Sequence, residues 1–184
     1  VIRANPEPGD AFQAGRIIAV NTGLLNIARA EVEAYDLSVD YSFEPTKIGQ
    51  INLYALATWQ THYRTQLLPS SPIVENVGIG VFNPLKFKAN AGMTWNRASW
   101  TVGWAGRFFS RYRVSTNAAQ ILNQGSPWVD SQLYHDVFAS YRISQSMQGR
   151  WAALLVGTEL QLGIRNVLNT EPPFDAGSLP VPAG

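Results

Sequence analysis

The chain contains no cysteine, which excludes disulfides, zinc-thiolate sites and thiol nucleophiles without naming a compartment. Charge is scarce as well: Asp, Glu, Lys and Arg supply 15% of the residues, against roughly 25% in an average soluble domain. The formal net charge is +1, so no basic field exists to gather nucleic acid. No run of about 18 apolar residues occurs, which excludes a helical membrane span, and no basic segment followed by an apolar one opens the chain as a secretory signal would. Val1 to Asp10 reads as a Pro-containing loop without an initiator Met, so residues 1–184 are expected to be a fragment of a longer protein.

What the chain does have is apolar and aromatic residues, 46% and 11% of the total. They are arranged with a period of two, the signature of strands with one apolar and one polar face. Tyr35, Leu37, Val39, Tyr41 and Phe43 alternate with Asp36, Ser38, Asp40, Ser42 and Glu44. Ile51, Leu53, Ala55, Ala57, Trp59, Thr61 and Tyr63 then oppose a set ending in Gln60, His62 and Arg64. A third strand sets Phe87, Ala89, Ala91, Met93 and Trp95 against Lys86, Lys88, Asn90 and Thr94. The fourth runs from Trp100 to Arg113 with Trp104, Phe108 and Tyr112 on one face and Arg107, Arg111 and Arg113 on the other. A fifth, from Val129 to Ile143, places His135 among apolar residues, and a sixth carries Leu160, Leu162 and Ile164.

The connections alternate in length. Glu44 to Gly49 and Asn96 to Ser99 are short, whereas Thr65 to Pro84 and Val114 to Trp128 are long, which is the layout of a barrel with short periplasmic turns and long extracellular loops. Within Gln145 to Thr158, the stretch Arg150 to Leu155 suits a short interfacial helix. The strands also reach the roughly 9 to 11 residues needed to cross the hydrocarbon at a tilt, longer than the ~5 to 6 of soluble strands. Aromatics gather at both ends: Tyr41, Phe43, Trp95, Trp100 and Tyr141 by the short turns, and Trp59, Tyr63, Phe87, Phe108 and Tyr112 by the long loops. Two such girdles match the two interfaces of a bilayer. A soluble sandwich would have no use for them.

No catalytic constellation stands out. His62 and His135 fall on opposite faces of different strands, so neither a metal pair nor a base-nucleophile couple is expected, and no enzyme activity, metal or cofactor is foreseen. Gly78-Ile79-Gly80 is too short for a phosphate loop. The expected ladder of Arg107, Arg111 and Arg113, joined by His62 and Arg64, is the candidate for attracting an anionic ligand at the mouth. Gln66, Asn76, Asn117, Gln120 and Asn123 are the candidate donors on the loops.

The last third carries a more specific pattern. Leu160, Gly163, Ile164, Asn166, Val167, Leu168, Asn169, Pro172 and Pro173 resemble the penultimate strand of TonB-dependent receptors, where L-x-x-G-[VI]-x-N-[LV]-[FL]-[DN]-x-x-P-P is common. Asn26, Ala30, Glu31 and Glu33, leading to Asp36-Leu37-Ser38-Val39-Asp40-Tyr41-Ser42-Phe43, resemble an earlier strand of the same family. Here Glu33-Ala34 stands where a Gly is usual, and Tyr35 where some relatives carry a small residue. The resemblance implies an all-β fold: an antiparallel meander of about six long transmembrane strands, a segment of a barrel of roughly 22 strands. The N-terminal plug, the TonB box and the aromatic-ended final strand would be absent, the chain ending Pro180-Val181-Pro182-Ala183-Gly184. Gly163, Asn166, Pro172 and Pro173 are then structural. The location implied is the outer membrane of a Gram-negative bacterium. The partners implied are outer-membrane lipid, TonB, and a ferric siderophore, cobalamin or oligosaccharide as the transported nutrient. A passive porin-like barrel and a soluble β-rich binding module or enzyme accessory domain are the alternatives.

Overall fold

The computed structural model describes residues 28–143 and 155–178, together with residues 2–3, 5, 15 and 17–19. Strands β1 (Ile2–Arg3) and β2 (Ile17–Ala19) form a small antiparallel pair. The main sheet holds β3 (Arg29–Ser42), β4 (Gln50–Gln66), the short β5 (Val74–Glu75), β6 (Phe87–Arg97), β7 (Trp100–Phe109), β10 (Gln132–Arg142) and β11 (Glu159–Ile164). Between β7 and β10 lie β8 (Tyr112–Arg113), helix α1 (Ala118–Gln124) and β9 (Trp128–Val129), and a 3-10 turn spans Ala176–Ser178. The six long strands pair in chain order, β3-β4-β6-β7-β10-β11, and every pairing is antiparallel. The fold is all-β. The sheet is open, with β3 and β11 at its edges.

Alternation places the side chains as the sequence pattern demands, because residues directly opposite one another in an antiparallel pair share a face. One row runs Leu37, Ala57, Ala89, Phe108 and Leu133, and another runs Tyr41, Leu53, Met93, Trp104, Val137 and Ile164. The other face carries rows such as Asp36, Thr58 and Lys88, or Ser38, Leu56, Asn90, Arg107 and Tyr134. Short turns hold these registers. Gly49 closes the β3-β4 turn at φ +115°, where a Cβ would also lie 2.5 Å from the Asn96 carbonyl oxygen, so only glycine fits.

The apolar face is uncovered. Leu37 is 59% exposed and Leu162 is 74% exposed. The buried apolar residues among those described are Tyr112, Val114, Val129, Ile143 and Ala176, and none belongs to a long strand. Nothing described packs against the sheet as a second layer. Among the described residues the core cluster forms at the long-loop end, where Tyr112, Val114 and Val129 gather with Leu85 and Ile121 around them.

Four expectations are corrected here. The fourth strand stops at Phe109; the chain then turns, and Tyr112–Arg113 pairs with Trp128–Val129 in a separate ladder. Tyr112 is therefore a buried member of the loop core and no part of an aromatic girdle, and Val129 belongs to that core and not to the fifth strand, which begins at Gln132. A bulge is the third difference. Ala34 pairs with Gln60 but Glu33 pairs with His62, so Thr61 is extra and the facing of β4 inverts beyond it. The Tyr35 hydroxyl donates to Glu33 Oε1 at 2.9 Å, which confirms that Glu33 stays on the apolar face of β3. His62 and Arg64 accordingly share the side of Tyr35 and Trp59, while Tyr63 moves to the opposite side. Fourth, His62 and His135 open to the same side, though β6 and β7 separate their strands. The helix expected over Arg150 to Leu155 lies outside the described residues except for Leu155, as does Asn26.

Candidate functional site

Three loops converge at one end of the sheet. Arg113 is gripped by the first of them: its N–H donates to the Gly78 carbonyl and its own carbonyl accepts from Gly80 N–H, both at 2.7 Å. The second loop contains α1, begun by Asn117, whose Oδ1 accepts from Ala119 N–H at 2.9 Å, and ended by Gly125 in the left-handed conformation. The third is stapled to α1 through Gln124, which donates to the Phe174 carbonyl at 2.8 Å and accepts from Ala176 N–H at 2.7 Å. Beneath them the Tyr112 hydroxyl donates to Asp175 Oδ2. Burial, and then that carboxylate, push the phenol's pKa well above its ordinary value.

A cavity of about 350 Å³ opens within this cap. Its polar lining comes from Glu75, Asn76, Asn83, Ser115, Thr116 and Gln120, and Val81 and Phe82 supply apolar surface. The volume falls within the range of small-molecule sites, and amides and hydroxyls outnumber charges, which suits a ligand with many hydroxyl or amide groups. Of the five expected donors, the cavity takes Asn76 and Gln120. Gln66 instead closes its own loop by donating to the Pro69 and Ser71 carbonyls, Asn117 caps the helix, and Asn123 lies exposed on α1. Glu75, Asn83, Ser115 and Thr116 were not singled out from the sequence. They sit in loops without periodicity, and no pattern marks them.

The expected arginine ladder is not one structure. Arg107 lies on the polar face and pairs with Asp136, Nη2 donating to Oδ1 at 3.3 Å while Nε sits 3.2 Å from Oδ2 without a hydrogen bond's alignment. Arg111 stacks over the Trp128 ring, 4.8 Å from its centroid. Arg113 is an exposed member of β8. The break at Ser110 and Arg111 separates the three.

His62 and Arg64, by contrast, are brought together. Both reach Glu75 on β5: His62 Nδ1 lies 2.8 Å from Oε2 and Arg64 Nε 3.4 Å from it. Arg64 Nη2 is also 3.3 Å from His62 Nε2, so Nδ1 carries the proton toward Glu75 when the ring is neutral. Partial burial works to raise the pKa of Glu75, but hydrogen bonds from the Tyr63 N–H, His62 and the Val77 N–H outweigh it and hold the carboxyl at about 2. This depressed value means that the contribution is fully present above the ordinary value of 4.5 and is lost as pH falls from there through about 2. Below pH 4, faster amide exchange is expected at Tyr63 and Val77 than in Glu75→Gln at the same pH relative to neutral. Equal pH dependence in the two proteins would show that the carboxylate does not hold β5.

The family-like residues after β11 form a turn of their own. Asn166, at φ 51°, accepts from Thr170 N–H and donates to the Thr170 carbonyl, both at 2.9 Å, while its own N–H donates to Asp136 Oδ1 at 2.8 Å. Pro172 and Pro173 lead from that turn to Phe174 at the cap. Gly163 pairs with Phe138, and a Cβ there would meet nothing closer than 3.6 Å. His135 receives a hydrogen bond from Trp104 Nε1 at 3.1 Å and stacks on its ring, which gives this histidine a partner on the apolar face. Among the described residues, no three His, Asp or Glu side chains gather as metal ligands. No family model, curated protein or solved structure matches the chain.

Proposed function

We propose that this chain is a segment of an outer-membrane β-barrel, part of a TonB-dependent receptor, with its apolar face against lipid and its polar face toward a wet lumen. The observation that carries the reading is the uncovered apolar face spanning six strands, with no buried apolar side chain in any of them. A soluble monomer seldom leaves more than a few hundred Å² of contiguous apolar surface in water. The 17 residues of β4 extend roughly 56 Å at about 3.3 Å per residue, enough to cross a bilayer at a tilt and continue into the loops. The long-loop end is then extracellular. The end of β11 and the turn after it, resembling the family pattern at Gly163, Asn166, Pro172 and Pro173, favour a receptor over a passive porin.

In the intact receptor a barrel of about 22 strands would surround a plug, and TonB would couple plug movement to the proton-motive force. The cap cavity would meet the nutrient first. Its hydroxyl- and amide-matching lining favours an oligosaccharide or a neutral chelate over a bare anion.

Because residues 1–184 contain no cysteine, single cysteines placed in them report the orientation, with the same protein lacking them as the background. Single cysteines introduced at residues 37, 39, 93 and 162, or at 36, 38, 90 and 107, are labelled with a membrane-impermeant maleimide in isolated outer membranes. The first set is expected to be protected until detergent is added, and the second to react once the lumen is open to reagent. Equal labelling of both sets in intact membranes would rule the reading out.

A further inference from the structure

Apart from His135 and the charged group beyond the bulge, polar side chains interrupt the uncovered face at a notch near the long-loop end. Trp59, Phe87 and Trp128 form the walls of a notch of about 500 Å³ whose remaining lining is Lys86, Ser110 and Arg111. No carboxylate borders it, and neither Lys86 nor Arg111 joins an ion pair among the described residues. Arg111 is held in place by its stacking on Trp128, and Ser110 is fixed by accepting from the Phe87 N–H at 3.1 Å. Two cations are thus presented over an aromatic rim, at the height where the strands give way to loops.

Below the notch the same face changes character. In the β4-β6 register the pair Trp59 and Phe87 is followed by Ala57 and Ala89, then Ala55 and Ala91, then Leu53 and Met93. Gly106 lies beside Ala91 on β7. Small side chains therefore floor a trough that runs from the notch to a second cavity, of about 520 Å³, walled by Val39, Tyr41, Met93 and Trp104. Six residues of strand separate Trp59 from Leu53, or roughly 20 Å at about 3.3 Å each.

Cations above, an aromatic collar between and an apolar trough beneath are the complement of an anionic lipid. We infer that this surface seats a phosphate-bearing lipid of the outer leaflet, its phosphate between Lys86 and Arg111 and one acyl chain along Ala57, Ala89, Ala55 and Ala91. The inference rests on the membrane reading above and deepens it. Trp128 and Trp59 sit where amphipathic rings settle at headgroup depth, and basic side chains at that level attract anionic headgroups. In the charged group just beyond the bulge, Arg29 is paired to Glu31, His62 and Arg64 reach Glu75, and Glu33 accepts from the Tyr35 hydroxyl, so its cations already have carboxylate partners and do not compete for the phosphate.

The test uses a variant in which Trp59 and Trp128 are the only tryptophans, reconstituted in phosphatidylcholine vesicles containing brominated phosphatidylglycerol or, in parallel, brominated phosphatidylcholine. Bromine quenches tryptophan at contact. The expected result is a preference of about fivefold for the anionic lipid, retained in excess inorganic phosphate and reduced to parity in Lys86→Gln/Arg111→Gln. Parity without those substitutions overturns the inference, as does loss of the preference in inorganic phosphate, which would make the notch a free-phosphate site. A second variant with Trp104 alone separates the two levels. Quenching of Trp104 by either lipid shows that the sheet meets acyl chains even where the lipid seat fails, whereas no quenching by either removes the membrane reading and the inference together.

Discussion

Replacing Val114 by aspartate is expected to open the loop cap while leaving the six-stranded sheet paired. Val114 is 1% exposed and packs with Tyr112 and Val129. An ionised carboxylate at that position would have no cation beside it in the loop core, and burying an unpaired charge costs about 3–5 kcal/mol. A core of three buried residues has little stability in reserve, so the cheaper response is to expose the site to water. The backbone bonds that depend on this core are identifiable: Val114 N–H to the Pro127 carbonyl, and the two bonds between Arg113 and Gly78 and Gly80. Hydrogen exchange at Gly80, Arg113 and Val114 should therefore accelerate by orders of magnitude, while amides in the middle of β6 and β7 keep their protection. Leu122→Asp, at a position 81% exposed on the same cap, should change neither. Retained protection at Gly80 in Val114→Asp would mean that the cap is held by its hydrogen bonds and not by its core. Because Asn83, Ser115 and Gln120 line the cap cavity, on the proposed reading any ligand binding there is expected to be lost with the cap.

The sheet was legible in the sequence because its determinant is local. An apolar residue at every second position needs only itself to specify a face, and the rows from Tyr41 to Ile164 follow from that rule strand by strand. The bulge at Thr61 was not legible, since Gln60, Thr61 and His62 are all polar and either facing satisfies the alternation. Its consequence is physical: it places His62 and Arg64 on the side of Tyr35 and Trp59, where both reach Glu75. The arginine ladder failed for a related reason. Arg107, Arg111 and Arg113 keep the period of a strand, but what ends β7 is the non-local pairing of Tyr112 with Val129, which no window of sequence contains. Tyr112 was misread in the same way, because an aromatic near a strand end looks alike whether it meets a bilayer or a loop core. The cap cavity is assembled from three segments far apart in the chain, so its loops and, of its lining, Asn76 and Gln120 could be anticipated, but not the other lining residues.

The glycines show the same division between local pattern and non-local packing, and they yield a second prediction. The family-like pattern marks Gly163, yet space there is ample. Within the strands, the demanding positions are Gly92 and Gly103. A Cβ on Gly103 would lie 2.1 Å from Phe138 Cε1, and one on Gly92 would lie 2.4 Å from Tyr54 Cε1. Each ring belongs to the residue directly opposite and occupies the space that a Cβ on the glycine would need, as in the aromatic rescue of strand glycines. Gly103→Ala must drive the Phe138 ring off that seat, which is expected to cost about 1–3 kcal/mol. Gly163→Ala should stay within about 0.5 kcal/mol of the parent. The pairing can be isolated: in a Phe138→Ala background the ring is gone, and Gly103→Ala should become neutral or stabilising, since alanine is favoured over glycine inside a strand by roughly 0.5–1 kcal/mol. Denaturant midpoints of the four proteins, refolded in the same detergent, give the coupling directly. A penalty for Gly103→Ala that persists without the ring would locate the requirement in the backbone, and the aromatic cover would then be a bystander on the polar face.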